Sequence, residues 1–264
     1  MKQFFLFCVF LITGFFIYIE LAEFDTKETI VAVVDTGIDA SHPMLEGRVE
    51  NGYDFYNWDL DPMDDHGHGT HVASIIHSVA PHAVLLPVKT LGENGKGVGT
   101  SFLGIFYSVV KGADIVNLSI SEVENPLTSW VIRFGERKGV VFVGASGNDG
   151  LTNRISFPAR LDEVIAIGGY NTYSDHLYEN GNRSPDLDFL APGVLIEGAS
   201  PGGEVVRKTG TSFAAGSVSG MLAYFKEIQP KMTTDDARLL LRLTSFYEKD
   251  GYRVLELDRF LATQ

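Results

Sequence analysis

The sequence has very little cysteine. Its 264 residues include one, Cys8, which lies in an apolar run near the N-terminus. The rest of the chain has no thiol, so neither a disulfide nor a cysteine nucleophile is available there.

Basic residues are also scarce relative to acidic ones. The chain has 21 Lys and Arg against 34 Asp and Glu, for a net charge of −13. A nucleic-acid-binding protein needs basic surface to neutralise phosphates, so this balance argues against nucleic acid as a partner. The length suggests one large domain, with or without a short appendage.

The N-terminal apolar run is short for a membrane span. Residues 4–19 carry no charge, but as a helix they would reach about 24 Å across a hydrocarbon core of about 30 Å. Lys2 and this length fit a secretory signal. However, a cut next to Ala22 would need a small residue two positions earlier, where Glu20 stands, and the aromatic residues favour an anchor. We therefore expect residues 1–23 to be a signal peptide or a retained anchor rather than a core helix. The protein would then be exported, and either secreted or tethered at the extracytoplasmic face, with one domain over residues 24–264.

Apolar, β-branched runs alternate with helical patterns along the rest of the chain. Residues 29–34, 83–88, 113–119 and a run beginning at residue 140 read as strands buried on both faces. Helical patterns follow the first two, at residues 72–76 and 102–111. This alternation predicts an α/β fold with a mostly parallel sheet and helices on both faces.

Asp35 follows the first predicted strand directly. Side chains at the carboxyl ends of parallel strands stand where such sheets place their sites, although an ordinary turn aspartate fits equally well. The following loop is polar and aromatic, and it contains Asp54, Asp59, Asp61, Asp64 and Asp65. A metal site is conceivable in that loop, but a solvated loop is the favoured interpretation.

Three histidines, His66, His68 and His71, precede a predicted helix over residues 72–76. They suggest zinc, but their spacing does not match the helical pattern in which a glutamate lies between two ligands. The favoured hypothesis is that His68, at the helix start, is a general base that meets a serine on one side and a carboxylate on the other.

Ser212 lies among small residues just before a predicted helix over residues 217–228. Free N–H groups and the positive dipole end of that helix would favour a developing negative charge there. Serine is also a preferred N-cap residue, so this stretch alone favours a cap.

Three motifs in the order Asp, His, Ser resemble the subtilisin-like serine proteases (subtilases). They are VVDTGID at residues 33–39, HGTHVA at 68–73 and GTSFAA at 210–215. The resemblance covers roughly residues 29–262 and implies the three-layer subtilisin-like fold and peptide-bond hydrolysis through an acyl-enzyme. Ser212 would be the nucleophile, His68 the general base and acid, and Asp35 the residue that orients the imidazole.

The resemblance also implies the remaining site residues. Asn148 would be the oxyanion donor, although a left-handed turn conformation is the alternative. Residues 97–99 would form the first wall of a groove that binds an extended peptide, with a surface turn as the alternative. Residues 119–122 would form the second wall. Pro158 is the candidate for a cis proline. The substrate-binding candidates are Gly97, Val98, Gly99, Ser119, Ile120, Ser121, Ser146 and Ser156.

Several departures from the family pattern change the expectations. Ser121 and Glu122 stand where glycines are usual, so they should crowd or recharge the second wall. Met44 replaces a calcium-binding aspartate, and the helix behind His68 has no inserted loop, so we expect no tight calcium site and no other cofactor. Only about ten residues separate the apolar run from the first predicted strand, so we expect no folding propeptide there. The alternatives are a catalytically inactive peptide-binding module and a metalloenzyme that uses the three histidines and the nearby aspartates.

Overall fold

The computed structural model describes residues 28–245 and 247–262. The signal or anchor predicted for residues 1–23, and the domain boundary placed at residue 24, lie outside these residues. In the described part of the chain, no helix is long and apolar enough to span a bilayer.

The secondary structure alternates between strands and helices as the sequence pattern predicts. The strands are Ile30–Asp35 (β1), Tyr53–Asp54 (β2), Val84–Lys89 (β3), Ile115–Leu118 (β4), Val141–Ala145 (β5), Val164–Asn171 (β6), His176–Leu177 (β7), Phe189–Pro192 (β8), Ile196–Ser200 (β9), Glu204–Lys208 (β10), Tyr247–Lys249 (β11) and Tyr252–Val254 (β12). The helices are His68–Val79 (α1), Ser101–Val110 (α2), Pro126–Glu136 (α3), Thr211–Ile228 (α4), Thr234–Thr244 (α5) and Leu257–Leu261 (α6).

One large sheet organises the described residues. Its strands lie in the order β11-β12-β8-β6-β5-β4-β1-β3-β2, and β7 pairs with β6. All neighbours from β12 to β2 are parallel, whereas β11 and β7 run antiparallel to their partners. Strands β9 and β10 form a separate antiparallel hairpin. Because parallel strands end at the same edge, the residues after β1, β4 and β5 come together there.

Both faces of the sheet are covered by helices. On β1, Val31 and Val33 pack into the apolar layer that contains residues of α1, α4 and α5. Ala32 and Val34 point to the opposite layer, which contains residues of α2 and α3. This burial on both sides explains why the strand reads as a continuous apolar run. The predicted α/β class and three-layer arrangement are confirmed.

Two helices begin earlier than the sequence pattern predicts. Helix α1 begins at His68 rather than residue 72, after Gly67 in the left-handed conformation with φ of 86°. Helix α4 begins at Thr211 rather than residue 217, so Ser212 lies inside its first turn. The small residues of the first turns carry no apolar periodicity, which is why the pattern missed them. The cis peptide expected at Pro158 is present.

A buried lysine holds residues 54–67, which we call the β2 loop, against the sheet. Lys89, 2% exposed, ends β3, and its Nζ donates to the Met63 carbonyl oxygen at 2.8 Å and to Asp65 Oδ2 at 3.0 Å. Asp54 Oδ2 lies 3.6 Å away, on a carboxylate with no exposed surface. The ion pair therefore holds the loop that leads into the histidine motif.

Replacing Lys89 by methionine should destabilise the protein by about 3–5 kcal/mol, because the Asp54 carboxylate would stay buried without a cation. Urea unfolding followed by circular dichroism measures this loss. The control is Lys231→Met, which removes an exposed lysine. Equal unfolding free energies for the two variants would contradict the assigned role of the ion pair.

Candidate active site

Asp35 is the last residue of β1 and is completely buried. Its Oδ1 accepts hydrogen bonds from the Thr36 backbone N–H at 2.8 Å and from His68 Nδ1 at 2.7 Å. Burying a carboxylate is costly unless it is hydrogen-bonded or paired, so these contacts offset part of that cost and hold the Asp35 side chain in place.

His68 is the first residue of α1, and its side chain is 21% exposed. Because Nδ1 donates to Asp35, the neutral ring carries its lone pair on Nε2. Burial alone lowers the pKa of His68, but the charge of Asp35 and its hydrogen bond outweigh this effect and raise the pKa above its ordinary value. An oriented imidazole with a free Nε2 is suited to act as a base.

A second buried carboxylate, Asp64, supports this pair, a role that the sequence analysis did not predict. Asp64 Oδ1 accepts hydrogen bonds from Thr36 Oγ1 at 2.8 Å, from His66 N at 3.0 Å and from Gly67 N at 2.8 Å. Its Oδ2 accepts from Thr70, through the backbone N–H at 2.9 Å and the hydroxyl at 2.6 Å. Asp64 therefore joins the residue after Asp35 to the first turn of α1.

The interpretation of the β2 loop as a solvated segment is wrong for two of its aspartates. Asp54 and Asp64 are 0% and 2% exposed. Asp54 Oδ1 accepts from the backbone N–H groups of Tyr56 and Asn57, at 2.7 and 2.8 Å. Both carboxylates therefore stabilise the conformation of the loop by accepting hydrogen bonds from its backbone. The one sequence signal for Asp64 is its position four residues before His68.

Ser212 is the second residue of α4 and is 6% exposed. Gly210 occupies the N-cap position without a side-chain cap, so the interpretation of Ser212 as the N-cap is wrong. The Ser212 hydroxyl donates to the carbonyl oxygen of Ser119, which lies 3.4 Å away. Ser212 and His68 line the same groove, which has a volume of about 900 Å³. The ring of the next residue, Phe213, lies 5.6 Å from the His68 ring.

Asn148 lies in the same groove, after β5. Its Oδ1 accepts from the Thr211 backbone N–H at 3.0 Å. This bond assigns the oxygen and leaves the Nδ2 group as a donor. The left-handed conformation considered for Asn148 is wrong, since it belongs to the preceding Gly147, with φ of 101°.

The predicted substrate-binding residues do not all lie in the groove. Its lining includes Gly97, Gly99, Ser119, Ile120 and Ser121. By contrast, the Val98 side chain is 60% exposed and Ser146 is completely buried. Ser156 lines an adjacent cavity of about 480 Å³.

Glu122 lines both cavities, but its carboxylate is already held. It accepts a hydrogen bond from Thr128 Oγ1 at 2.9 Å and a short one from Ser101 Oγ. Both donors lie in the first turns of helices, α3 and α2 respectively, where a negative charge is favoured. The negative charge expected on the second groove wall is therefore present as the Glu122 carboxylate, which is held between two helix N-termini.

The three histidines have separate partners rather than a common centre. The His66 ring lies against Gly95, where a side chain would come within 3.2 Å of it, whereas His68 bonds Asp35. His71 Nε2 donates to the Ile196 carbonyl oxygen at 3.1 Å. Within the described ranges, no group of three or more His, Cys, Asp or Glu is arranged to hold a metal ion.

The comparisons with known proteins agree with this geometry. The model of the subtilase family matches residues 26–259. The chain belongs to the subtilase family. It is 38% identical over 223 residues to the major intracellular serine protease of Bacillus subtilis strain 168, covering 77% of this chain and 70% of that protein.

Two further relatives support the assignment to the subtilases. A thermophilic serine proteinase of Bacillus sp. strain AK1 is 37% identical over 205 residues, 73% of this chain. The match spans 51% of that protein, so the chain covers about half its length. The crystal structure of a cold adapted subtilisin-like serine proteinase superposes with a TM-score of 0.81 at 26% identity, covering 88% of this chain and 91% of that one. Since one relative is named as intracellular, export stays a prediction for this subtilase.

Acid should destabilise this protein through His71, whose side chain is completely buried. Burial is the main cause that lowers the pKa of His71 from 6.5 to about 4. The unfolded chain therefore binds more protons between these values, and stability is lost as the pH falls from 6.5 towards 4. The contribution is about 3 kcal/mol.

Unfolding free energies of the wild type and of His71→Gln, measured with urea at several pH values, test this expectation. The variant removes the titrating ring, so its stability should fall less steeply than that of the wild type over this range. Parallel pH dependences for the two proteins would contradict it.

Proposed function

We propose that the chain is a serine endopeptidase that hydrolyses peptide bonds through an acyl-enzyme on Ser212. The observation that carries the proposal is the 2.7 Å hydrogen bond between Asp35 and His68 in the groove that Ser212 also lines. The groove thus presents a hydroxyl and an imidazole, and the buried Asp35 carboxylate orients that imidazole from behind. These are the groups that nucleophilic serine catalysis requires.

The reaction begins when the Ser212 hydroxyl turns from the Ser119 carbonyl towards His68 Nε2. Such catalytic hydrogen bonds often tighten only once the substrate is bound. Oγ attacks the peptide carbonyl carbon while Nε2 takes its proton, and Asp35 stabilises the imidazolium. His68 then gives the proton to the leaving amine, and a water molecule repeats the sequence to release the acyl group.

The negative charge on the tetrahedral oxygen is bound by Asn148 Nδ2 and by the Ser212 backbone N–H. The hydrogen bond from Thr211 N to Asn148 Oδ1 supports this role, because it leaves the amide N–H₂ group as the donor. The Ser212 N–H lies in the first turn of α4, where N–H groups have no partner within the helix.

The substrate is a peptide or protein segment in extended conformation. Its backbone pairs with residues 97–99 on one wall and residues 119–121 on the other, as an added strand. The Val98 side chain points to solvent, which is compatible with a contribution through its backbone. Ser146 and Ser156 contribute below the groove, where Ser156 N donates to the Ser146 carbonyl at 2.8 Å.

The calcium site that is usual in the family does not fit this chain. Met44 offers a thioether, a poor ligand for a hard cation, and it is 36% exposed. Helix α1 continues without an inserted loop to Val79. We therefore propose that catalysis and folding proceed without that calcium ion.

A fluorophosphonate probe tests the nucleophile. The wild type should be labelled, and Ser212→Ala should not be. Absence of labelling in the folded wild type would instead favour the inactive peptide-binding module.

Replacing the oxyanion donor tests the role of Asn148. Asn148→Ala should lower turnover of a peptide substrate by roughly 10²–10³-fold, a value known from the loss of the equivalent donor in subtilisin. The matched control is Asn153→Ala, an exposed asparagine.

Removal of calcium tests the cofactor proposal. Addition of a calcium chelator should leave the thermal midpoint and peptidase rate unchanged. A specific ion would stabilise the folded state by mass action, so a fall in midpoint that calcium reverses would contradict the proposal.

A further inference from the structure

Lys208 connects the segment that carries the histidine to the segment that carries the serine. It ends β10 and lies four residues before Ser212. Its Nζ donates to the Gly67 carbonyl oxygen at 2.6 Å. Gly67 is the N-cap of α1 and directly precedes His68. A single side chain therefore bridges the two halves of the site.

The hairpin that carries Lys208 is itself held against the rest of the site. The Ala199 N–H donates to Ser74 Oγ on α1 at 2.8 Å, and the Gly202 N–H donates to Asp39 Oδ2 at 3.0 Å. His42 Nε2 lies 2.9 Å from the Glu204 carbonyl oxygen. With both strands and the turn fixed, Lys208 is aimed at a defined point rather than free to move over the surface.

The contact with Gly67 is close. A Cβ atom at Gly67 would lie 2.9 Å from Pro201 Cδ and 3.6 Å from Lys208 Nζ. Gly67 also has a φ of 86°, a conformation that side chains disfavour. The turn before His68 is therefore shaped to receive the hairpin and the ammonium group.

Lys208 places a positive charge near His68, whose other neighbours include two carboxylates and two histidines. Asp35 faces the ring from β1, Asp64 from the preceding loop, and His71 lies on the same helix. The His66 ring is 6.3 Å away. Burial lowers the pKa of His68, Asp35 and Asp64 raise it, and the positive charge of Lys208 lowers it. Lys208 thus opposes the carboxylates.

We propose that Lys208 is a positioning residue of this site, which fixes the His68 turn through Gly67 and opposes protonation of the imidazole with its positive charge. The inference rests on the proposed serine-peptidase function. It adds a residue that none of the three motifs contains.

Three replacements separate the hydrogen bond from the charge. Lys208→Met removes both, Lys208→Gln keeps a donor without charge, and Lys208→Arg keeps the charge. Lys231→Met, which removes an exposed lysine, is the control for net charge. The rate of Ser212 labelling by a fluorophosphonate is measured across the acidic and neutral range, with thermal melting to show that each variant is folded.

We expect labelling of Lys208→Met to fall by about tenfold at neutral pH, since a charge-assisted hydrogen bond that holds the base is lost. The acid limb of its pH profile should move to higher pH, because a His68 without the neighbouring cation holds its proton more firmly. The limb of Lys208→Gln should move likewise with a smaller loss of rate, and that of Lys208→Arg should match the wild type.

Other outcomes overturn the inference. A Lys208→Met limb and rate equal to those of Lys231→Met would leave Lys208 no role, even though Ser212-dependent labelling of the wild type would uphold the proposed function. A lower rate with an unmoved limb in both neutral variants would refute the electrostatic role. A folded wild type that is not labelled at all would overturn the proposed function together with this inference.

Discussion

The rest of the site depends on one buried charge, the carboxylate of Asp35. A carboxylate without exposed surface requires partners that stay in place, and Asp35 has the Thr36 N–H and the His68 ring. Because His68 must present Nδ1–H to this carboxylate, its tautomer and orientation are set by the folding of the sheet. This hydrogen bond therefore fixes the orientation of His68, the first residue of α1.

That constraint is effective only if the serine helix lies close to the histidine helix. Helix α4 is rich in small residues, and it packs directly on α1. A Cβ at Gly220 would lie 2.6 Å from Val79 Cβ, and one at Gly216 would lie 3.5 Å from the Val72 side chain. Gly216 therefore lies at this helix contact.

Around the candidate catalytic residues, buried polar side chains replace the solvent that the fold excludes. Asp64 bonds the Thr36 hydroxyl and the first turn of α1, and Asn148 bonds the start of α4. Each bond satisfies a backbone or hydroxyl group that would otherwise be buried unpaired, and each also restrains a segment that carries a candidate catalytic residue. Stability and orientation thus come from the same contacts.

The sequence by itself determined the fold class and the identities of the triad candidates. Strands buried on both faces leave an apolar signal, and the motifs around Asp35, His68 and Ser212 keep their order along the chain. It did not determine the burial of Asp64, the capping of α4 by Gly210 or the reach of Lys208. Those features were decided by tertiary structure. A loop aspartate reads as solvated until the helix that donates to it is in place, and a lysine 141 positions from Gly67 meets it only when the hairpin packs on α1.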